Sequence, residues 1–286
     1  TGSPGITGGK PVTAPPVSTP TRGLVDGPSV AGAGGGEAGE ESGSGAGEGR
    51  SGGRAVIEAR GVYAGRRAAT LLPPAPPVPR MQSAALAVLA SYLLGAVPFG
   101  LVLARVLKGV DLRQVGSGNI GATNAMRVLG KPLGLTAFLL DFAKGLVPTL
   151  VFAGWAGALD ERAAGLAVAA CGTAAVVGHC FPVYLAFKGG KGVATGCGAV
   201  VGVEPLVFVC GGAVWLVALF ALRYVSVASL AMGATFPVAA ALLTPELPSF
   251  VGACALLTAL VVVRHRTNIA RLRAGTEPKT GTRRAT

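Results

Sequence analysis

The stretch Phe187-Lys188-Gly189-Gly190-Lys191-Gly192-Val193-Ala194-Thr195 sets two ammonium groups among three glycines, with apolar sequence on both sides. Glycine lets a backbone approach a ligand in conformations that a Cβ would forbid. N–H groups opening a helix after Gly192, together with Lys188 and Lys191, would make an anion site, and phosphate is its natural guest. The plainer reading is a membrane-surface turn, since lysines at helix ends snorkel toward water.

A second polar stretch runs Gly116-Ser117-Gly118-Asn119-Ile120-Gly121-Ala122-Thr123-Asn124-Ala125-Met126-Arg127. It holds a formal G-x-G-x-x-G, and Asp141 follows Gly121 by 20 residues. That fingerprint binds dinucleotides only after a strand and within a βαβ unit. Here an apolar span precedes it and Asp141 lies inside the next span, so the nucleotide reading fails. What is left is a tight loop of Ser117, Asn119, Thr123 and Asn124 donors with Arg127, suited to phosphate or a polar headgroup. A capped polar turn is the plainer alternative.

Other pairs carry less on their own. Asp141 and Lys144 are spaced i,i+3 in an apolar span, which reads more readily as a mutually neutralising structural pair than as catalytic. His179 precedes the lysine loop, and a lone histidine is more often structural. His265 and Asn268 have helical i,i+3 spacing, so both can face one pocket, and Ser226 and Ser229 beside Arg223 repeat the spacing. Neither histidine is followed by H-x-x-x-x-D, and no serine nucleophile with its base stands out.

The elements that must position these groups are apolar. Of 286 residues, 51% are hydrophobic and 13% charged, and mean hydropathy is +0.58. This is membrane-protein composition. The net charge of +12 divides into +2 over residues 1–80 and +10 over 81–286. The positive charge therefore belongs to the apolar part, where it reports topology and anionic ligands rather than nucleic acid. The five cysteines lie scattered in apolar stretches without C-x-x-C spacing, as packing residues rather than a disulfide framework or metal site.

Residues 1–80 are rich in Gly, Pro, Ala and Ser and are expected to be disordered. Met81 reads as the physiological start, with a flexible tail as the alternative. From there the chain predicts an all-α integral membrane protein, a polytopic bundle of about seven transmembrane helices, each of about 17–25 residues. The spans fall near 82–105, 132–153, 163–186, 192–204, 206–222, 225–243 and 248–263, the fourth being short. Lys108, Arg113, Arg127, Lys131, Lys188, Lys191, Arg223, Arg264, Arg266, Arg271 and Arg273 fall in one set of connections. Asp160, Glu161, Glu204 and Glu246 fall in the other, with Arg162 as its one basic residue. The positive-inside rule puts the first set in the cytoplasm, with the N-terminus outside and the C-terminus inside.

These residues together resemble the acyl-phosphate:glycerol-3-phosphate acyltransferase family of bacterial membranes, known as PlsY. The resemblance runs through Gly116–Arg127, Gly178–Thr195 and Arg264–Glu277, covers residues 81–277 and leaves out 1–80. It implies a transmembrane acyltransferase domain over 81–275 and a short basic cytoplasmic tail over 276–286. It implies transfer of the acyl group of acyl phosphate to the 1-hydroxyl of sn-glycerol 3-phosphate. The products are lysophosphatidic acid and phosphate, at the first step of membrane phospholipid synthesis. The implied partners are those two substrates and membrane lipid, with no cofactor and no metal. The implied place is the bacterial inner (plasma) membrane, with the active site on the cytoplasmic face.

On this resemblance Ser117, Arg127, His265 and Asn268 are catalytic. Asn119, Thr123, Lys188, Gly189, Gly190, Lys191, Gly192 and Ser226 bind substrate, and Glu277 is structural. Whether His265 is the base, or the substrate's own phosphate takes the proton, stays open. The competing classes are a membrane anion or phosphate-ester transporter and a structural membrane anchor. A transporter favours midplane polar groups and repeated halves, and no internal repeat is evident. An anchor leaves the clustered motifs unexplained.

Overall fold

Prolines decide where the apolar helices stop. The structure, a computed structural model, describes residues 80–155 and 161–281. α1 (Arg80–Ala96) ends before Val97-Pro98, because proline disfavours helical backbone in the residue ahead of it. α2 (Phe99–Lys108) continues the same span. α3 (Ala122–Leu129) and α4 (Lys131–Val147) follow. Pro148 has no N–H for the Lys144 carbonyl, and the chain passes into a π-helical turn, Pro148–Phe152.

α5 (Glu161–Cys180) leads through a 3₁₀ turn, Val183–Leu185, to α6 (Val193–Val203), α7 (Pro205–Leu222), α8 (Val225–Leu243), α9 (Pro248–Arg264) and α10 (Arg266–Arg273). Every regular element among the described residues is helical.

Small residues set the pairings. α1 packs on α5, α4 on α6, and α7 on α8, with α9 against α8 and α5. A methyl group on Gly95 or Gly178 would enter the backbone of the facing helix, at Ala175 and Tyr92 respectively. Gly145 meets Thr195 and Gly198 meets Phe142 in the same way, so α4 and α6 touch backbone to backbone. Inside α8, Pro237 leaves the Gly233 carbonyl without a helical donor, and the Thr258 hydroxyl of α9 donates to it at 2.5 Å. α7 is apolar on all sides and buries only Val207 and Gly211.

The all-helical bundle of apolar spans is as expected, and length and composition alone recover five or six of the about seven spans. Among the described residues five stretches are long and apolar enough to cross: Gln82–Lys108, Lys131–Phe152, Gly165–Leu185, Pro205–Leu222 and Val225–Leu243. A sixth is reached if α9 and α10, bent by 56°, form one span. The fourth expected span is α6, whose 11 residues extend roughly 16 Å, about half the hydrocarbon thickness. It needs no lipid, because Thr195 through Val200 are all buried among its neighbours. The expectation for residues 1–80 lies outside the described residues except for Arg80, and so does Asp160. Past the expected domain boundary at 275, residues 276–280 fold back: Thr280 N–H donates to the Arg223 carbonyl at 2.7 Å, and Arg223 Nη2 donates to the Thr280 carbonyl at 3.0 Å.

Candidate active site

The glycine loop is built on the end of α5. The carbonyls of His179 and Cys180 accept from Gly190 N–H at 3.0 Å and Gly189 N–H at 3.2 Å. The two glycine carbonyls point the other way and accept from Arg264, Gly190 from Nε at 2.9 Å and Gly189 from Nη2 at 2.7 Å. The same guanidinium lies 5.2 Å over the Phe181 ring. These two glycine amides are therefore already bonded within the protein. The close approach that glycine permits here is to α5: a Cβ on Gly189 would sit 2.8 Å from the Cys180 carbonyl, and one on Gly190 would strike the His179 ring. Gly192 takes φ +81, a left-handed conformation that favours glycine, and opens α6. The first-turn N–H groups of α6 that follow have no carbonyl of their own helix to reach.

The two lysines part company. Lys188 is exposed, whereas Lys191 is partly buried. Burial brings the Lys191 ammonium down to about 8; Glu277 opposes that shift, and Arg271, Arg127 and Arg264 add to it. Lys191 thus stands within electrostatic reach of all three sequence motifs.

The third motif bends at His265 between α9 and α10. Its ring is buried, with Nδ1 2.8 Å from the Val261 carbonyl. A carbonyl only accepts, so Nδ1 donates, and the lone pair of the neutral ring lies on Nε2. Asn268 Nδ2 donates to Glu277 Oε1 at 2.6 Å, while its Oδ1 is buried without a hydrogen-bond partner. Glu277 also accepts from Ser226 Oγ at 2.8 Å and Arg271 Nε at 2.7 Å. Burial works to raise the Glu277 carboxyl, but the bonds from Asn268, Arg271 and Ser226 outweigh it and hold the group below its usual range. Ser226 therefore meets the third motif through Glu277.

The first motif is pinned from inside by Asn124. Its Nδ2 donates to the Leu112 and Val115 carbonyls, both at 3.1 Å, and its Oδ1 accepts from Ser117 N–H at 2.8 Å. Asn119 Oδ1 accepts from Gly121 N–H at 2.9 Å and turns the chain into α3. Below the loop, Leu112, Ile120 and Ala125 pack with Leu101, Ala104 and Ala137, and Leu185 lies against the same cluster. Ser117 on the loop and Thr123 and Arg127 on α3 are exposed. Ser117 and Asn119 bond within their own motif, and Arg127 joins the other motifs through the field at Lys191.

Sequence reasoning grouped Lys188 with Lys191, read Arg264 only as a topology charge, and gave Asn124 no more than a donor's place in its loop. The neighbourhood of His265 and Asn268 signalled Arg264, but nothing in the sequence says that its guanidinium spans to residues 74 and 75 positions earlier. Beside Gly192 a small apolar cavity of about 20 Å³ lies among α5, α6, α8 and α9, lined in part by Val176, Val193, Met232, Phe236, Leu257 and Val261. Among the described residues no group of three or more His, Cys, Asp or Glu side chains is placed to hold a metal ion.

Residues 85–275 match a family model described as glycerol-3-phosphate acyltransferase. A relative of that name from Geotalea daltonii is 43% identical over 197 residues, 69% of this chain and 97% of its own length. Another, from Anaeromyxobacter sp. (strain Fw109-5), is 48% identical over 193 residues, 67% of this chain and 94% of its own length. Two crystal structures of PlsY (YgiH), an integral membrane glycerol 3-phosphate acyltransferase, share the fold. The glycerol 3-phosphate form gives a TM-score of 0.64 at 42% identity, covering 70% of this chain and 96% of that one. The lysophosphatidic acid form gives 0.62 at 41%, over the same shares.

Proposed function

Because the chain belongs to the glycerol-3-phosphate acyltransferase family, we propose that it moves an acyl group from acyl phosphate to the 1-hydroxyl of glycerol 3-phosphate. It is an integral membrane acyltransferase, and its products here are lysophosphatidic acid and inorganic phosphate. The observation that carries the reading is the convergence at Lys191: Arg127, Arg264 and Arg271 all act electrostatically on one ammonium, which itself acts on the buried His265. Glu277 neutralises Arg271 at 2.7 Å, and one carboxylate among four cationic side chains leaves the cluster net positive. A phosphate monoester supplies two negative charges and several acceptor oxygens.

The phosphate of glycerol 3-phosphate is assigned to Lys191, Arg127 and the amides opening α6 after Gly192, with Lys188, Ser117, Asn119 and Thr123 at the exposed rim. Gly189 and Gly190 shape this site through their backbone positions. Ser226 acts through Glu277, which orients Asn268. The acceptor hydroxyl donates toward Asn268 Oδ1 or His265 Nε2, each of which has lone-pair capacity. Its oxygen attacks the acyl carbonyl carbon and the bond from that carbon to the phosphate oxygen breaks. Phosphate leaves, and the proton passes to His265 Nε2 or to a substrate phosphate. The donor is already activated, so positioning and cationic stabilisation of the oxyanion suffice. The site faces the cytoplasm across the inner membrane, in keeping with the basic connections.

The test is product analysis. Purified protein with palmitoyl phosphate and glycerol 3-phosphate is expected to yield lysophosphatidic acid and phosphate in equal amounts. Efficient use of acyl-CoA with neglect of acyl phosphate would overturn the assignment of the donor.

A further inference from the structure

Three ionisable side chains stand apart from the site just described, buried in the span region: Asp141 and Lys144 at 2% exposure and His179 at 5%. Ionisable groups at that depth are expensive and are held in place by what they contact. Lys144 Nζ lies 2.7 Å from Asp141 Oδ1, which accounts for the pair's charge but not for its other contacts. The same ammonium donates at 2.8 Å to the Val97 carbonyl, the group exposed by the break between α1 and α2. Asp141 Oδ1 also lies 3.7 Å from His179 Nδ1. On its far side the residue meets the glycine loop: its backbone carbonyl holds Gly190 N–H, and the imidazole Nε2 occupies the space that a Gly190 Cβ would need.

We propose that Asp141, Lys144 and His179 form a buried positioning device that fixes the Gly189–Gly190 backbone, and with it Lys191, at the position the substrate phosphate requires. This rests on the proposed binding of glycerol 3-phosphate at that loop. The loop is held from two sides. Arg264 holds its carbonyls, and the His179 ring limits how far the loop sinks toward α5. The His179 ring in turn faces Asp141 through an electrostatic contact at 3.7 Å, longer than a hydrogen bond, and Asp141 is set by an ammonium bonded to the bend of the first span. None of the three touches the reacting atoms. They are positioning residues, and removal should show in substrate binding before it shows in turnover.

The steric contact gives the test its form. In the full chain in detergent, Kd for glycerol 3-phosphate is measured by titration calorimetry, with steady-state KM and kcat and the Tm of each variant. H179A is expected to raise Kd and KM about tenfold while kcat falls less than threefold. H179Q, whose amide can still face Asp141, should recover most of that loss. G190A should raise Kd at least as much as H179A. The double variant H179A/G190A should bind no worse than H179A, because the methyl then enters the space the ring has left.

Multiplying Kd effects in the double variant would overturn the proposal. So would unchanged Kd in H179A, or losses that only follow lost Tm. D141N/K144Q, which removes both charges without leaving one unpaired, gives an independent reading, and unchanged Kd there excludes the ion pair from the device. The parent reading is judged separately by wild-type product formation. Its failure would leave these Kd comparisons intact, since they need no turnover.

Discussion

Arg264 reaches back 74 residues to hold the Gly190 carbonyl at 2.9 Å, and its second bond takes the Gly189 carbonyl at 2.7 Å. Two parallel donors on one planar group fix both the height and the tilt of the loop that carries Lys191. Lysine cannot reproduce that geometry. R264K is therefore expected to behave nearly as badly as R264A, each raising KM for glycerol 3-phosphate by about tenfold or more. That corresponds to the loss of a charge-assisted bond of about 1.5–3 kcal/mol. Kinetics of the two variants beside their Tm check this, and an R264K of near-normal KM would show that charge alone matters.

Lys188 and Lys191 should separate cleanly. K191A is expected to lower kcat/KM for glycerol 3-phosphate by about ten- to hundredfold, again from about 1.5–3 kcal/mol of phosphate contact. K188A, at an exposed position, should cost less than about threefold, since a solvated charge contributes only about 0–1 kcal/mol. The comparison is of kcat/KM in the same detergent preparation.

The burial that brings Lys191 to about 8 also sets a pH dependence. Phosphate binding favours the protonated amine, so affinity for glycerol 3-phosphate is full below about 8 and falls as the pH rises through it. Kd measured from pH 6.5 to 9.5 should show that alkaline limb, and K191R should shift it upward or abolish it, because arginine stays charged.

Glu277 should make the fold sensitive to acid. Its carboxyl is held below its ordinary 4.5 in the folded protein. The stability it contributes is therefore present above that value and lost as the pH falls through the lower folded one. Tm followed from pH 6 to pH 3.5 should fall more steeply in wild type than in E277Q. At pH 7, E277A should weaken turnover as well, because Asn268 loses the acceptor that orients it.

Topology can be read with single cysteines in a cysteine-free background. Positions 246 and 273, both exposed, are expected to label from opposite sides of the membrane, and position 188 from the same side as 273. Labelling of 246 and 273 from one side would overturn the orientation.

Much of this was legible in the sequence because apolar length and charge asymmetry are imposed by the bilayer itself. The glycine loop and the His265–Asn268 spacing could be read directly, being short-range. α6 reads as a short span in the sequence, and hydropathy cannot distinguish a helix facing lipid from one buried by protein. Both are continuously apolar, and only the packing of Gly145, Gly198 and their partners distinguishes them. The use of the Gly189 and Gly190 amides was equally hidden, since it depends on where the end of α5 lies. Arg264 looked like one more topology charge because a contact across 74 residues leaves no local pattern.

α7 has a consequence for how this chain can vary. With only Val207 and Gly211 buried, it is held mainly through the face where Gly211 lies against the Phe236 ring. Around the rest of its circumference, as at Val209, Val217 and Phe220, with 58%, 69% and 79% exposure, one apolar side chain is nearly as good as another. Drift there is close to free, and whole stretches of α7 can be rewritten in apolar letters while Gly211 stays fixed.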